Sequence, residues 1–217
     1  MCGAFADESS LRRAGERLAG ADTESLKTTC RQVLGCHTST AERLPFMDRL
    51  YADLFSRIPP PTSVLDLCAG LQPFAIPWMT LAPGCRYEAW DIDTRTIELV
   101  NRFFSAHVPG ATAVAQDLLA DTAPLEADLV ILLKSLTTLE HQEKGAGRAV
   151  LARIRARHVL VSFPATSLGG RDVGMRQNYA DSWEPVMKEL NFSLEMSEYP
   201  NEVLYLLTRH GEKWGHT

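Results

Sequence analysis

No stretch of the chain stays apolar for the roughly 18 residues that a membrane-spanning helix needs. No basic segment followed by a hydrophobic one opens it either, the start being Met1-Cys-Gly-Ala-Phe-Ala-Asp7. Neither a membrane partner nor a secretory leader is expected, and the expected compartment is the cytoplasm. Paired cysteines are also missing: there are five, an odd number, with no C-x-x-C, which points to reduced thiols rather than a disulfide framework. Cys30, Cys36 and His37 have no second pair to complete a tetrahedral set, so no metal is expected. Basic charge is not in excess, the net charge being −5. No internal repeat or low-complexity tract is visible.

The charge is unevenly placed. Residues 1–57 hold 8 basic and 8 acidic side chains, residues 58–150 hold 6 and 11, and residues 151–217 hold 8 and 8. Within Arg148 to Arg176 six arginines face one acid, Asp172. Such a local patch can bind phosphates on an acidic protein, although solvated surface charge is the commoner reason for one. The 217 residues, 45% hydrophobic and 23% charged, suit one globular domain with a small appendage.

The chain is organised around Thr62-Ser-Val-Leu-Asp-Leu-Cys-Ala-Gly-Leu-Gln-Pro73. Three prolines, Pro59 to Pro61, precede an apolar, partly β-branched run from Ser63 to Leu67, which reads as a buried strand. Cys68, Ala69 and Gly70 form a small-residue turn, and Pro73 can open a helix because its missing N–H would lack a partner there anyway. Strand, carboxylate, glycine turn and helix in this order cradle a nucleotide-like ligand in doubly wound folds. One glycine stands where G-x-G-x-x-G needs three, so no pyrophosphate cradle is evident. A nucleoside cofactor without phosphates is the better expectation. Asp91, about 20 residues past the turn and followed by Ile92, is placed to accept from ribose hydroxyls.

Taken in order, Glu8 to about Cys36 reads as two short helices broken at Gly20-Ala-Asp22. Ser39-Thr-Ala-Glu42 fits a capping box, opening a helix that runs to about Ser56 and either kinks at Pro45 or starts nearer Leu44. A helix from Pro73 to about Leu81, a strand Arg86 to Trp90 and a helix Thr94 to His107 follow. Next come a strand Thr112 to Ala115, a strand Asp128 to Leu133, one long helix from about Thr138 to Ile154 and a strand His158 to Phe163. This alternation argues for a mostly parallel sheet. After the loop Pro164 to Arg176 and a helix from about Gln177 to Leu190, the runs Phe192 to Glu198 and Val203 to Thr208 are joined too closely for a crossover and should pair antiparallel. Ligands gather at the carboxyl ends of such strands, so Asp66 to Gly70, Asp91, Gln116-Asp117 and Lys134-Ser135 are expected to converge. Gln116 and Asp117 can read an adenine edge.

This constellation and the terminal hairpin resemble the class I S-adenosylmethionine-dependent methyltransferases. A closer resemblance rests on His37-Thr-Ser-Thr-Ala-Glu-Arg-Leu44, Leu65-Asp-Leu-Cys-Ala-Gly-Leu-Gln-Pro73, Ala115-Gln-Asp-Leu118, Val161-Ser-Phe-Pro-Ala-Thr-Ser-Leu-Gly-Gly-Arg171, Gly174-Met-Arg-Gln-Asn-Tyr179 and Asn201-Glu-Val-Leu-Tyr205. In order and spacing these resemble the aminoglycoside-resistance 16S rRNA methyltransferases, which act on N7 of a guanine in the decoding A-site. The resemblance implies an α/β, Rossmann-like, seven-stranded mostly parallel sheet with the last strand antiparallel. It implies a methyltransferase domain over 58–217 with an N-terminal helical extension over 1–57, in a member that lacks the family's usual further upstream helical segment.

It implies S-adenosylmethionine as cofactor and S-adenosylhomocysteine as product, with 16S rRNA in the small ribosomal subunit as partner, no membrane, and a monomer. His37, Thr40 and Arg43 would face the methionine end, and Asp66, Ala69, Gly70, Asp91, Ile92, Gln116 and Asp117 would complete the cofactor set. Lys134 and Asn178 would position the target base. Arg171, Arg176 and Tyr179 would contact RNA, the arginines through phosphates. Guanine N7 carries a free lone pair, so no general base is expected. A methyltransferase for another RNA or a small molecule, and a cofactor-binding partner without turnover, remain alternative readings.

Overall fold

The computed structural model of the chain describes Arg13, Gly15, Glu16, Leu18, Asp22 and residues 24–165 and 175–209. The chain divides into two compact units, Met1–Leu118 and Leu119–Thr217. The strand order, β3-β2-β1 in the first unit and β4-β5-β7-β6 in the second, is that of a seven-stranded sheet.

In the first unit, helices α1 (Leu26–Leu34), α2 (Thr38–Ala41) and α3 (Met47–Arg57) precede β1 (Ser63–Leu67), a 3₁₀ segment (Gln72–Trp78), β2 (Arg86–Asp91), α4 (Thr94–His107) and β3 (Ala111–Ala115). β1 and β2 are parallel, with Ser63 opposite Arg86 and Leu67 opposite Trp90, and β2 and β3 are parallel as well. All five residues of β1 are buried, as expected of a strand covered on both faces. The core between strands and helices is aromatic: Phe74 and Phe103 lie 4.8 Å apart and Tyr87 meets Phe104 edge-on.

Three local expectations for this unit are corrected. The reciprocal box placed at Ser39–Glu42 occurs instead at Asp22–Ser25, where Ser25 N–H donates to Asp22 Oδ1 at 2.8 Å and Asp22 N–H to Ser25 Oγ at 3.1 Å. Helix α2 starts two residues earlier than the box requires, with His37 as its N-cap instead of Ser39. Pro45 then ends the run, because it has no N–H and its ring crowds the carbonyl four residues back, and α3 begins at Met47. The helix expected from Pro73 is a 3₁₀ segment with Pro77 inside it. Pro77 removes the i→i−4 bond to Pro73, and the chain tightens into i→i+3 bonds such as Met79 N–H to Ile76 O, 2.9 Å. Helix α1 is fastened to this segment by Asp48, which accepts from Arg31 at 2.6 Å and from Trp78 Nε1 at 2.8 Å.

The second unit contains β4 (Leu125–Leu133), α5 (Leu136–Gln142), α6 (Ala146–Arg153), β5 (Ile154–Pro164), α7 (Met175–Glu189), β6 (Phe192–Tyr199) and β7 (Glu202–Arg209). β4 and β5 are parallel, β7 runs antiparallel to β5, and β6 and β7 form the expected terminal hairpin. β7 alone is reversed. The single helix expected over 138–154 is two helices, broken at Gly145, whose φ of 87° suits glycine. Glu140 secures the break by accepting from Gly145 N–H at 2.7 Å and Gly147 N–H at 3.2 Å. The helix expectation ran through Ile154, but β5 starts there, paired with Leu125.

Gly147 is also a contact. A methyl group added to it would lie 2.3 Å from Trp183 Cη2, on the buried indole of α7. Gly147→Ala is therefore expected to cost about 1–3 kcal/mol by overpacking, read as a lower thermal midpoint. An unchanged midpoint would show that the ring gives way freely.

Candidate functional site

At the end of β1 the backbone turns through Cys68 (φ 53°) and Gly70 (φ 50°). For Cys68 this is a left-handed conformation that costs a side-chain-bearing residue roughly 1–2 kcal/mol, of the kind that clusters at ligand sites. The turn is tied to the neighbouring strand end. Ala69 N–H donates to Trp90 O at 2.9 Å, Gly70 N–H to Asp91 Oδ2 at 2.7 Å, and Asp93 N–H to Asp91 Oδ1 at 3.0 Å. Each carboxylate oxygen has two lone pairs, so Asp91 keeps capacity for ribose hydroxyls while it holds both turns. A Cβ on Gly70 would meet nothing within 4 Å, so the turn faces open space. Ile92 is 70% exposed, a large apolar side chain beside that opening and suited to lie against a purine. Gln116 N–H donates to Asp91 O at 2.9 Å, which brings Gln116 to the same strand end. Gln116 is half-buried and Asp117 exposed.

Beneath the turn lies a buried polar network. Asp66 is 1% exposed and its Oδ2 accepts from the Tyr87 hydroxyl at 2.7 Å. Burial pushes its carboxyl up to about 7, against the opposing pull of the Tyr87 hydrogen bond and the Arg43 charge, with Asp91 adding to the rise. Burial, reinforced by Asp66, also drives the Tyr87 phenol well above its ordinary value. Arg43, 3% exposed, donates to Gln72 Oε1 at 2.8 Å, and Gln72 Nε2 donates to the Tyr51 hydroxyl. The Thr40 hydroxyl lies 2.5 Å from Leu34 O and 3.0 Å from His37 O, joining α2 to the end of α1. His37 Nδ1 lies 2.8 Å from Ser39 Oγ. Ala69 is buried in the turn. Gln72, Tyr51 and Tyr87 escaped the sequence reading; the available signal was a glutamine set between Leu71 and Pro73 in an otherwise apolar turn.

In the second unit, Lys134 follows β4 with φ 56°. Its N–H is shared between Ser162 O at 3.1 Å and Ser162 Oγ at 3.0 Å. Its ammonium lies 3.9 Å from Glu202 Oε2, a fully buried carboxylate. Glu202, also missed from sequence, pairs in register with Pro164, so the ends of β4, β5 and the start of β7 meet. On α7, Asn178 is exposed, and Tyr179 stacks on Phe163 with centroids 4.9 Å apart. Arg171 and the Arg176 side chain lie outside the described residues. Among the described residues no group of three or more His, Cys, Asp or Glu side chains could hold a metal ion, and no helix is long and apolar enough to cross a membrane.

A family model described as ribosomal RNA methyltransferase (FmrO) matches residues 3–206. The chain belongs to this family. Among curated relatives, the 16S rRNA (guanine(1405)-N(7))-methyltransferase of Micromonospora echinospora is 34% identical over 199 residues, 92% of this chain and 73% of that protein. The solved structure of the 16S rRNA methyltransferase RmtF in complex with S-adenosyl-L-homocysteine superposes with a TM-score of 0.79 at 32% identity, covering 93% of this chain and 76% of that one. The 16S rRNA methylase RmtB gives 0.78 at 27%, covering 96% and 77%. The fold of this FmrO-family chain is thus the expected class I methyltransferase fold.

Proposed function

We propose that the chain transfers a methyl group from S-adenosylmethionine to N7 of a guanine in the decoding A-site of 16S rRNA, within the small ribosomal subunit, at the position that its relatives' names number 1405. The observation that carries this reading is the strand-end cradle of Gly70, Asp91 and exposed Ile92, found in a chain whose family match spans residues 3–206. When bound, S-adenosylmethionine supplies a methyl carbon made electrophilic by its sulfonium.

Asp91 takes the ribose hydroxyls, Ile92 lies against the adenine, and Gln116 and Asp117 read its edge. Ala69 and Gly70 form the floor over Asp66. Arg43, held by Gln72, is the cation for the methionine carboxylate, flanked by His37 and Thr40. Guanine N7 attacks with its own lone pair: an N–C bond forms as the S–C bond breaks, sulfonium becomes thioether, and the base becomes cationic without any proton transfer. The protein's work is alignment and tolerance of that new charge. Lys134 and Asn178 position the base, Arg171 and Arg176 meet phosphates, and Tyr179, stacked on Phe163, meets the RNA. Residues 1–57 act as an extension to a methyltransferase domain over 58–217. A ribosomal substrate places this monomer in the cytoplasm, where modification of the A-site would give the host aminoglycoside resistance.

Incubating the protein and cofactor with purified small subunits or with naked 16S rRNA, then mapping the modified nucleotide, tests this reading. One N7-methylated A-site guanine, formed on assembled subunits, is expected. Transfer confined to naked RNA or to small molecules would overturn it.

A further inference from the structure

Ser135 carries a buried hydroxyl that the fold does not use. The residue is 6% exposed, and its Oγ has no hydrogen-bond partner among the described residues. Buried polar groups are nearly always paired, and one that is not calls for an explanation. Two ordinary explanations fail on the geometry. Ser135 is the N-cap of α5, where a serine oxygen commonly accepts from the first turn, but its φ of −99° and ψ of −30° are helical and it makes no side-chain cap bond. The Ser162 hydroxyl, the neighbouring polar group at this strand end, accepts from Lys134 N–H and makes no bond to Ser135.

The position matters as much as the missing bond. Ser135 follows Lys134 beyond the carboxyl end of a parallel strand, where ligands of such sheets bind. Lys134 is held there in a left-handed conformation, with its ammonium facing the buried Glu202 carboxylate. This strand end therefore offers an ammonium balanced by a carboxylate, together with one neutral hydroxyl that lacks a partner.

We infer that Ser135 Oγ is a substrate contact that fixes the acceptor base, donating a hydrogen bond to O6 of the target guanine. This deepens the methyl-transfer reading and rests on it. O6 and N7 are neighbouring acceptors on one edge of guanine, so a donor on O6 orients the base and leaves the N7 lone pair free to attack. A neutral donor suits a base that becomes cationic on methylation, because it adds no opposing charge. The unsatisfied hydroxyl is then a preorganised group, completed when the base arrives.

Ser135→Ala and Ser135→Thr, assayed with purified small subunits at saturating S-adenosylmethionine, test this. Ser135→Ala is expected to slow methyl transfer by about tenfold, the worth of one well-placed hydrogen bond. Its cofactor affinity by calorimetry should stay unchanged, and its thermal midpoint should be equal or higher, because the substitution deletes a buried group without a partner. Ser135→Thr keeps the hydroxyl and should keep most of the rate. A structural serine would not move rate and stability in opposite directions. A rate for Ser135→Ala within about twofold of wild type, or a fall in its thermal midpoint, overturns the inference while wild-type activity leaves the methyl-transfer reading standing. If wild type methylates a different acceptor, the guanine contact fails together with that reading.

Discussion

Asp91→Ala is expected to weaken S-adenosylmethionine binding by about 2–4 kcal/mol, roughly 30- to 1000-fold, measured by calorimetry. Two losses combine. The proposed bonds to the ribose disappear, and so does the carboxylate that receives Gly70 N–H at 2.7 Å and Asp93 N–H at 3.0 Å. Those amides hold the turn after β1 and the turn after β2 in register, so the alanine variant meets the cofactor with a loosened cradle. S-adenosylhomocysteine, which shares the ribose, should lose affinity by a similar factor. Asp91→Asn separates the contributions. Its single carbonyl oxygen can serve one of the two amides, while its amino group cannot accept at all, so its affinity should fall between wild type and alanine. Equal affinity in all three proteins would mean that the ribose is bound elsewhere.

The sequence foretold this half of the site because strand ends are local features. Helix α4 spans Thr94–His107 as expected, opened by Asp93, whose side chain accepts from Arg95 N–H. The β-branched run after three prolines, and the short link between the last two strands, were equally readable. What stayed hidden depends on partners far apart in the chain. Asp66 reads as a strand-end carboxylate that could face a ligand, and only the pairing of β1 with β2 brings the Tyr87 hydroxyl, 21 positions on, over it. Lys134 meets Glu202 across β5, a neighbour that no spacing rule supplies. The local misses share a different cause. At Pro45, Pro77 and Gly145, backbone constraints overrode an apolar period that continued through them, so the pattern placed the right faces but drew the breaks wrongly. The basic loop expected to meet RNA falls mostly outside the described residues, and its Arg171 and Arg176 rest on the motifs Val161-Ser-Phe-Pro-Ala-Thr-Ser-Leu-Gly-Gly-Arg171 and Gly174-Met-Arg-Gln-Asn-Tyr179.

The buried acid beneath the cradle should make stability depend on pH in an unusual direction. Burial raises the folded-state carboxyl of Asp66 from 3.8 to about 7, so between those values the folded protein holds a proton that the unfolded chain has released. Stability from this group is then fully present below the unfolded value and is lost as pH rises through about 7, opposite to an acid held in a salt bridge. For such a shift the loss between pH 5 and pH 8 is about 2–3 kcal/mol. Asp66→Asn keeps an oxygen for the Tyr87 hydroxyl and cannot ionise. Denaturant unfolding of wild type and Asp66→Asn at both pH values should show wild type losing about that much more than the variant between pH 5 and pH 8. Parallel curves would place the Asp66 carboxyl near its ordinary value and remove the reason for this dependence. The consequence reaches the site through Asp91: ionising Asp66 puts a second negative charge near that carboxylate, whose field already contributes to the rise. Cofactor affinity in wild type should therefore shift across the same pH window, and in Asp66→Asn it should stay flat.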